Sequence, residues 1–434
     1  MKFPDVSRLV VPALAAALLS AGTASSARAQ QEVTIGYMKH PIHEASVDII
    51  AKHAEERGIA LKRVPMPYGA YLEKVTASLT SGGDQFDIIW HNDDWGPIWH
   101  QWLAPTDDLE GMKNVDESRV DIAFLNDDGK PTVVPMVHTI GVFFYRTDLM
   151  APEEVPQTWD EMVQVSKRLQ DEGKVKWGFV GSMAMNHTWA TWLWSMWSNN
   201  CDIFEPVYAR TKTELEANNF ETMLDAECNR EMVEFWWDNI HEHKISPPAM
   251  PSYTVDDANA IFMAGEAAFT ATDSSVFGKY NDPATSRVAG NVGIARFPKG
   301  PRRDTSIAWN SFWGWAVPKG LPLERQELAK TLLNDMLMDV EGNVQLFERT
   351  GGPPPNMESW DQLAEQNAVF KMIKTSVMDL PETMHGTYYF ENWPAVHKAY
   401  SDTVIEAVTG AREDIPKVLE EGNALVHRVA IGEG

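Results

Sequence analysis

The chain has 434 residues, enough for more than one hydrophobic core, and carries 62 acidic against 37 basic side chains for a formal net charge of −25. So acidic a surface repels phosphate backbones and anionic lipid headgroups, which argues against nucleic acid and anionic membrane surfaces as partners. The only cysteines, Cys201 and Cys228, lack the spacing of a zinc site or a redox motif.

Residues 1–29 carry Lys2 and Arg8, then an apolar run from Leu9 to Leu19, then small residues ending Ala27-Arg28-Ala29. This pattern predicts a cleaved secretory signal peptide, and the apolar run is shorter than the ~20 residues a bilayer span requires. The expected address is a periplasm. The leader holds Lys2, Arg8 and Arg28 against Asp5, so the exported chain stands at −27. In that oxidising compartment an even cysteine count favours one disulfide, Cys201 to Cys228, over two buried thiols.

Residues 33–38 predict a strand. Val47, Ile50, Ala51 and Ala54 recur at helical spacing up to Gly58, and residues 59–64 predict a second strand. Leu72, Val75 and Leu79 share one helical face that ends at Gly82-Gly83, and residues 86–90 predict a third strand. This β-α-β-α-β order implies a parallel sheet covered by helices, with ligands taken outside the carboxyl ends of its strands. The third strand runs without a break into Trp90-His91-Asn92-Asp93-Asp94-Trp95, at that edge. One Asn or Asp suffices to cap a helix; three of them, Asn92, Asp93 and Asp94, between tryptophans point instead to binding.

Further along, residues 129–149 form two extended runs bracketing Val137 to Thr139, and Thr158-Trp159-Asp160-Glu161 is a capping box that starts a helix. Tyr71-Leu72-Glu73-Lys74-Val75 with Asp87-Ile88-Ile89, Phe262 to Phe269, Val292 to Pro298, Trp313 to Val317 with the helix 323–338, and Gly351-Gly352-Pro353-Pro354-Pro355 follow in order. In this set the chain resembles the extracellular solute-binding proteins of ABC importers, of the maltose-binding type; Gln85-Phe86 departs from the proline usual there. The resemblance implies an α/β, periplasmic-binding-protein type II fold: two α/β lobes joined by hinge crossings, with the ligand cleft between them. Residues 30–143 and 300–350 would form the N-lobe, and 144–299 and 351–434 the C-lobe. The crossings would fall at residues 129–149, Val292 to Pro298 and the Gly351-Gly352-Pro turn.

The chain holds 17 tryptophans, several at element ends. An indole stacks on the C–H face of a pyranose or polyol while carboxylates and amides take its hydroxyl protons. The resemblance places the ligand contacts at His40, Trp90, Asn92, Asp93, Trp189, Asp273, Trp309, Trp313 and Tyr388, with Tyr389 an alternative to Tyr388. Trp192, Leu193, Met196 and Trp197 share a helical face with Trp189 and are expected in the core, as are Trp236 and Trp237; His138 is expected to serve a hinge. No nucleophile elbow, H-E-x-x-H, phosphate loop or dinucleotide fingerprint is present. The expected protein is a monomeric, cofactor-free, non-enzymatic and metal-free binder of a sugar or polyol that delivers it to the permease subunits of an ABC transporter. A polyamine binder of the same fold and, from another class, a secreted glycoside-active enzyme are the alternatives.

Overall fold

A computed structural model describes residues 31–433 except 116–119, 121, 185–186, 379–382 and 386–387; the expected signal peptide lies outside the described residues. The alternating start of the chain folds as its pattern predicts. Strand β1 (Glu32–Met38), helix α1 (Pro41–Glu56), strand β2 (Ala60–Met66), helix α2 (Tyr68–Thr80) and strand β3 (Ile88–Asn92) follow in order. β1 pairs in parallel with both β2 and β3. The buried Asp87 carboxylate accepts the Thr34 N–H at 2.7 Å and the Arg325 Nε–H at 2.6 Å, which ties β1 and the start of β3 to helix α6 (Leu323–Met338).

Strand β4 (Val133–Arg146) has 14 residues and serves two sheet regions. Its first half pairs with strand β8 (Ala308–Ala316), from Val133 opposite Ala316 to Gly141 opposite Trp309, with a bulge between Pro135 and Val137. Its second half pairs with strand β6 (Ala267–Asp273), itself parallel to strand β5 (Trp177–Val180), and with strand β7 (Val292–Ala295). The far end of β8 pairs with β3, so β4 and β8 are two antiparallel crossings between lobes. A return crossing was expected at Val292 to Pro298. β7 instead pairs with Phe143–Arg146 inside the second lobe, and β8 makes the return. A third connection follows helix α7 (Val340–Thr350), where the Pro353 carbonyl accepts the His138 N–H at 2.9 Å.

The apolar side chains sort accordingly. One cluster joins Val33, Ile50, Trp90, Val137, Phe312, Trp315 and Leu333. Two others cover the faces of the second-lobe sheet, one holding Phe143, Phe269, Trp194 and Trp309, the other Ile140, Phe144, Phe262 and Ala308. Helix α7 contributes Leu346 to the first cluster and Val344 and Phe347 to the last.

The second lobe follows its local signals. Helix α3 (Trp159–Asp171) opens on the expected capping box: Thr158 Oγ1 accepts the Glu161 N–H at 3.1 Å and Glu161 accepts the Thr158 N–H. Helix α4 (Trp192–Ser198) buries all seven of its residues, whereas Trp189 sits on a separate short turn and stays half-buried. Helix α5 (Glu227–His241) carries Cys228, which is disulfide-bonded to Cys201 with the Cα atoms 5.7 Å apart. Trp236 is core, its indole N–H donating to Ser195 Oγ at 3.0 Å. Helices α8 (Trp393–Thr409) and α9 (Ile415–Ala430) pack against α5. Among the described residues no helix is long and apolar enough to cross a membrane.

Candidate functional site

The carboxyl ends of parallel strands from both lobes meet at one cleft: His40 follows β1, Asn92 to Asp94 follow β3, and Asp273 and Ser274 end β6. Three side chains register that the lobes touch. Trp393 Nε1, at the start of α8, donates to Asp94 Oδ1 at 3.4 Å. Tyr389 of the second lobe packs on the first-lobe cluster. The His40 imidazole lies in the field of Asp273 and Asp256 across the cleft.

On the first-lobe side the wall is aromatic. His40 N-caps α1, its Nδ1 accepting the Ile42 N–H at 3.3 Å, and its ring meets Trp313 edge-on at 5.4 Å. That acceptor role leaves the neutral ring's proton on Nε2. Burial pushes His40 below the ordinary histidine value, although Asp273 and Asp256 pull the other way. His43 is fully buried, with Nδ1 2.8 Å from the Met38 carbonyl and its ring against Trp90 and Trp313; burial holds it well below its ordinary value. Trp313 is half-buried and outermost, whereas Trp90 is only 1% exposed, packed among His43, Tyr71, Trp95 and Trp313. Trp90 is thus placed in the core beneath the wall, because its strand is buried on both faces.

Asp93 was expected to face the ligand. It braces β3 to β8 instead: Oδ1 accepts from Ser311 Oγ at 3.1 Å and from the Asp94 N–H, and Oδ2 accepts the Phe312 N–H at 2.9 Å. Asn92 donates from Nδ2 to Asp94 Oδ2 at 3.0 Å, and its buried Oδ1 has no partner among the described residues.

On the second-lobe side, Trp189 and Trp309 stand at 79° with centroids 5.1 Å apart, forming an aromatic corner. Asp273 caps the turn after β6 by accepting the Ser275 N–H at 3.0 Å and the Ser275 hydroxyl. Tyr388 lies elsewhere. It is fully buried in the second-lobe core, its hydroxyl donating to Asp202 and its ring under the Arg210 guanidinium at 4.5 Å, which in turn pairs with Asp202 at 2.9 Å. Alternation along the chain turns Tyr389, half-buried, towards the first lobe.

Of the nine expected contacts the structure therefore gathers His40, Asn92, Trp189, Asp273, Trp309 and Trp313 around the cleft, and places Trp90, Asp93 and Tyr388 in supporting positions. It adds Asp94, Ser274 and Trp393, and sets Tyr389 rather than Tyr388 towards the first lobe. Among the described residues, the buried polar atoms Asn92 Oδ1, Asn310 Oδ1, Ser274 Oγ and Trp309 Nε1 have no partner. Such atoms cost ~1–3 kcal/mol each when left unmet; Asn92, in register with Trp313, and Trp309, in the corner with Trp189, set two of them beside aromatic surfaces, which suits a ligand rich in hydroxyls. No group of three metal-ligating side chains occurs among the described residues.

The family described as bacterial extracellular solute-binding protein matches residues 48–371. A putative ABC transporter periplasmic-binding protein of Escherichia coli (strain K12), YcjN, is 26% identical over 181 residues, which span 38% of this chain and 42% of that protein's length. Among solved structures, the maltose-bound MalE3 of T. maritima superposes with a TM-score of 0.76 at 21% identity, over 91% of this chain and 99% of that one. A solute-binding protein of an ABC transporter from Agrobacterium radiobacter K84, in complex with ribitol, does so at 0.76 and 19% identity, over 92% and 98%. These likenesses agree with the two-lobed architecture described above.

Proposed function

Since the chain belongs to the bacterial extracellular solute-binding protein family, we propose that it is the periplasmic substrate-binding component of an ABC importer, and that it captures a sugar or polyol in the cleft and hands it to the membrane permease. The family is one of binding proteins, which sets aside the glycoside-active enzyme. The observation that carries the sugar reading is the pairing of aromatic surfaces, Trp313 and the Trp189–Trp309 corner, with polar atoms that are amide, hydroxyl and indole groups. These are neutral partners for hydroxyls, and an indole face packs on an apolar C–H face. The relatives bound to maltose and ribitol support the same chemistry.

The mechanism we propose is hinge closure about β4, β8 and the connection after α7: the solute enters, the lobes meet through Asp94 and Trp393, and the closed pair of surfaces is what the permease receives. The protein acts as a monomer. Asn92, Ser274, Trp189, Trp309, Trp313 and His40 hold the ligand, with Tyr389 in place of Tyr388.

A second reading, a polyamine, is favoured by the carboxylates of Asp94, Asp256 and Asp273 about the cleft. A thermal-shift panel of ribitol, D-mannitol, glucose, maltose and spermidine separates the two. A solute at a hundred times its dissociation constant stabilises its receptor by ~2.7 kcal/mol. We expect a rise in melting temperature with one or more of the polyhydroxy solutes and none with spermidine; the reverse pattern would establish the polyamine.

A further inference from the structure

Trp309, Gly141 and Asp273 form one row across the three strands β8, β4 and β6, for Gly141 pairs with Trp309 on one side and with Asp273 on the other. Side chains in such a row stand on the same face of the sheet. The middle position has none, and the indole of Trp309 fills the space. A Cβ on Gly141 would lie 2.0 Å from Trp309 Cε2, 2.1 Å from Nε1 and 2.4 Å from Cδ2, inside the contact distance of any real side chain. The ring therefore lies flat on the crossing strand with its N–H over Gly141. That N–H is buried and has no acceptor among the described residues. A glycine inside a strand marks a close approach, and here what approaches is the ring that forms the Trp189–Trp309 corner.

We propose that Gly141 is a positioning residue for solute selection. Its missing side chain seats the Trp309 indole against the hinge strand and holds the N–H where it donates to a hydroxyl oxygen of the bound solute; this rests on the sugar or polyol reading above. Any side chain at 141 lifts the indole off the strand into the volume that the solute fills. The same contact couples selection to closure, because the indole rests on one of the strands that join the lobes.

The test uses the full exported chain and four proteins: wild type, Gly141→Ala, Trp309→Ala and the double variant, with Trp309→Phe to identify the indole. In ligand-free proton–nitrogen spectra the Trp309 indole N–H is the resonance missing from Trp309→Phe. We expect Gly141→Ala to move that resonance while the other indole resonances stay in place; an unmoved resonance overturns the seating. Calorimetric titration with ribitol and with maltose then forms a double-mutant cycle. Gly141→Ala should weaken binding by on the order of tenfold or more in the wild type, the loss of a hydrogen bond and its packing, and by less than about twofold when Trp309 is already alanine. Equal losses in both backgrounds would mean that Gly141 acts on the hinge backbone, and would overturn the proposal. Should neither solute bind the wild type, the sugar reading fails for these two solutes, and the indole resonance alone decides whether Gly141 seats Trp309.

Discussion

The Asp93 carboxylate already accepts hydrogen bonds from the Ser311 hydroxyl and the Phe312 amide, so its chemistry is spent on joining β3 to β8. Asparagine offers one acceptor oxygen where aspartate offers two, and its amide nitrogen would face a donor. Hydrogen bonds to charged groups contribute ~1.5–3 kcal/mol, so Asp93→Asn should lower the melting temperature of the ligand-free protein. A variant that melts normally but binds solute poorly would return Asp93 to the ligand. His91 gives a second expectation. It is wholly buried between Trp99 and Phe124, neither ring nitrogen has a partner among the described residues, and burial pushes its pKa from the ordinary 6.5 to about 3. Between those values the unfolded chain takes up a proton that the folded chain refuses. The neutral ring's contribution is thus whole above 6.5 and is lost as the pH falls, by up to about 1.4 kcal/mol per pH unit. Denaturant titrations from pH 7 to 5 should show stability falling more steeply for wild type than for His91→Leu; parallel lines would contradict this.

Elements with a strong local signal were legible in the sequence. Helix α6 spans Leu323–Met338 as the resemblance implied, and α3 starts on the Thr158–Glu161 box, because a cap is written within a few residues. Pairing partners are not local, which is why β7 rather than β8 was expected to make the return crossing: both are short apolar runs, and only their registers with β4 tell them apart. The same limit applies to the site. The end of β3 announced its polar and aromatic cluster, but which of Trp90 and Trp313 is outermost, and which of Tyr388 and Tyr389 faces the first lobe, depends on sheet faces set by distant strands. Gly141 did carry a signal, a glycine inside the apolar run Ile140 to Tyr145. The Cys201–Cys228 bond was expected from compartment and count, and it ties the turn after α4 to α5. A loop of that length contributes ~3 kcal/mol by constraining the unfolded chain. The Cys201→Ser, Cys228→Ser double variant should accordingly melt earlier, and wild type denatured without reductant should show no reactive thiol in a thiol assay; two thiols would contradict the bond.

Across the cleft the two lobes bring three half-buried histidines among carboxylates. His40 lies in the field of Asp273, Asp256 and Lys279, His187 in that of Asp256 and Asp257, and His397, stacked on Trp393, in that of Asp94 and His187. Burial is the largest influence on each and lowers all three below the ordinary 6.5, outweighing the carboxylates. Opening the lobes rehydrates these rings and restores their affinity for protons, so protonation favours the open form. Solute affinity should therefore be full above about pH 6.5 and weaken towards pH 5, with Asp94→Asn, which blunts the cross-lobe contact, weakening it at every pH. An affinity that rises on acidification would contradict this sign.

Whether this molecule captures a small polyhydroxy solute between its lobes is decided by calorimetric titration of the exported chain, unfolded and refolded to strip any bound solute. The titrants are the polyhydroxy solute that raises the melting temperature most and, separately, spermidine. The account predicts saturable heat at one solute per protein for the polyhydroxy compound, lost in Trp309→Ala, and no saturable heat for spermidine. Saturable binding of spermidine with none of any sugar or polyol would contradict it.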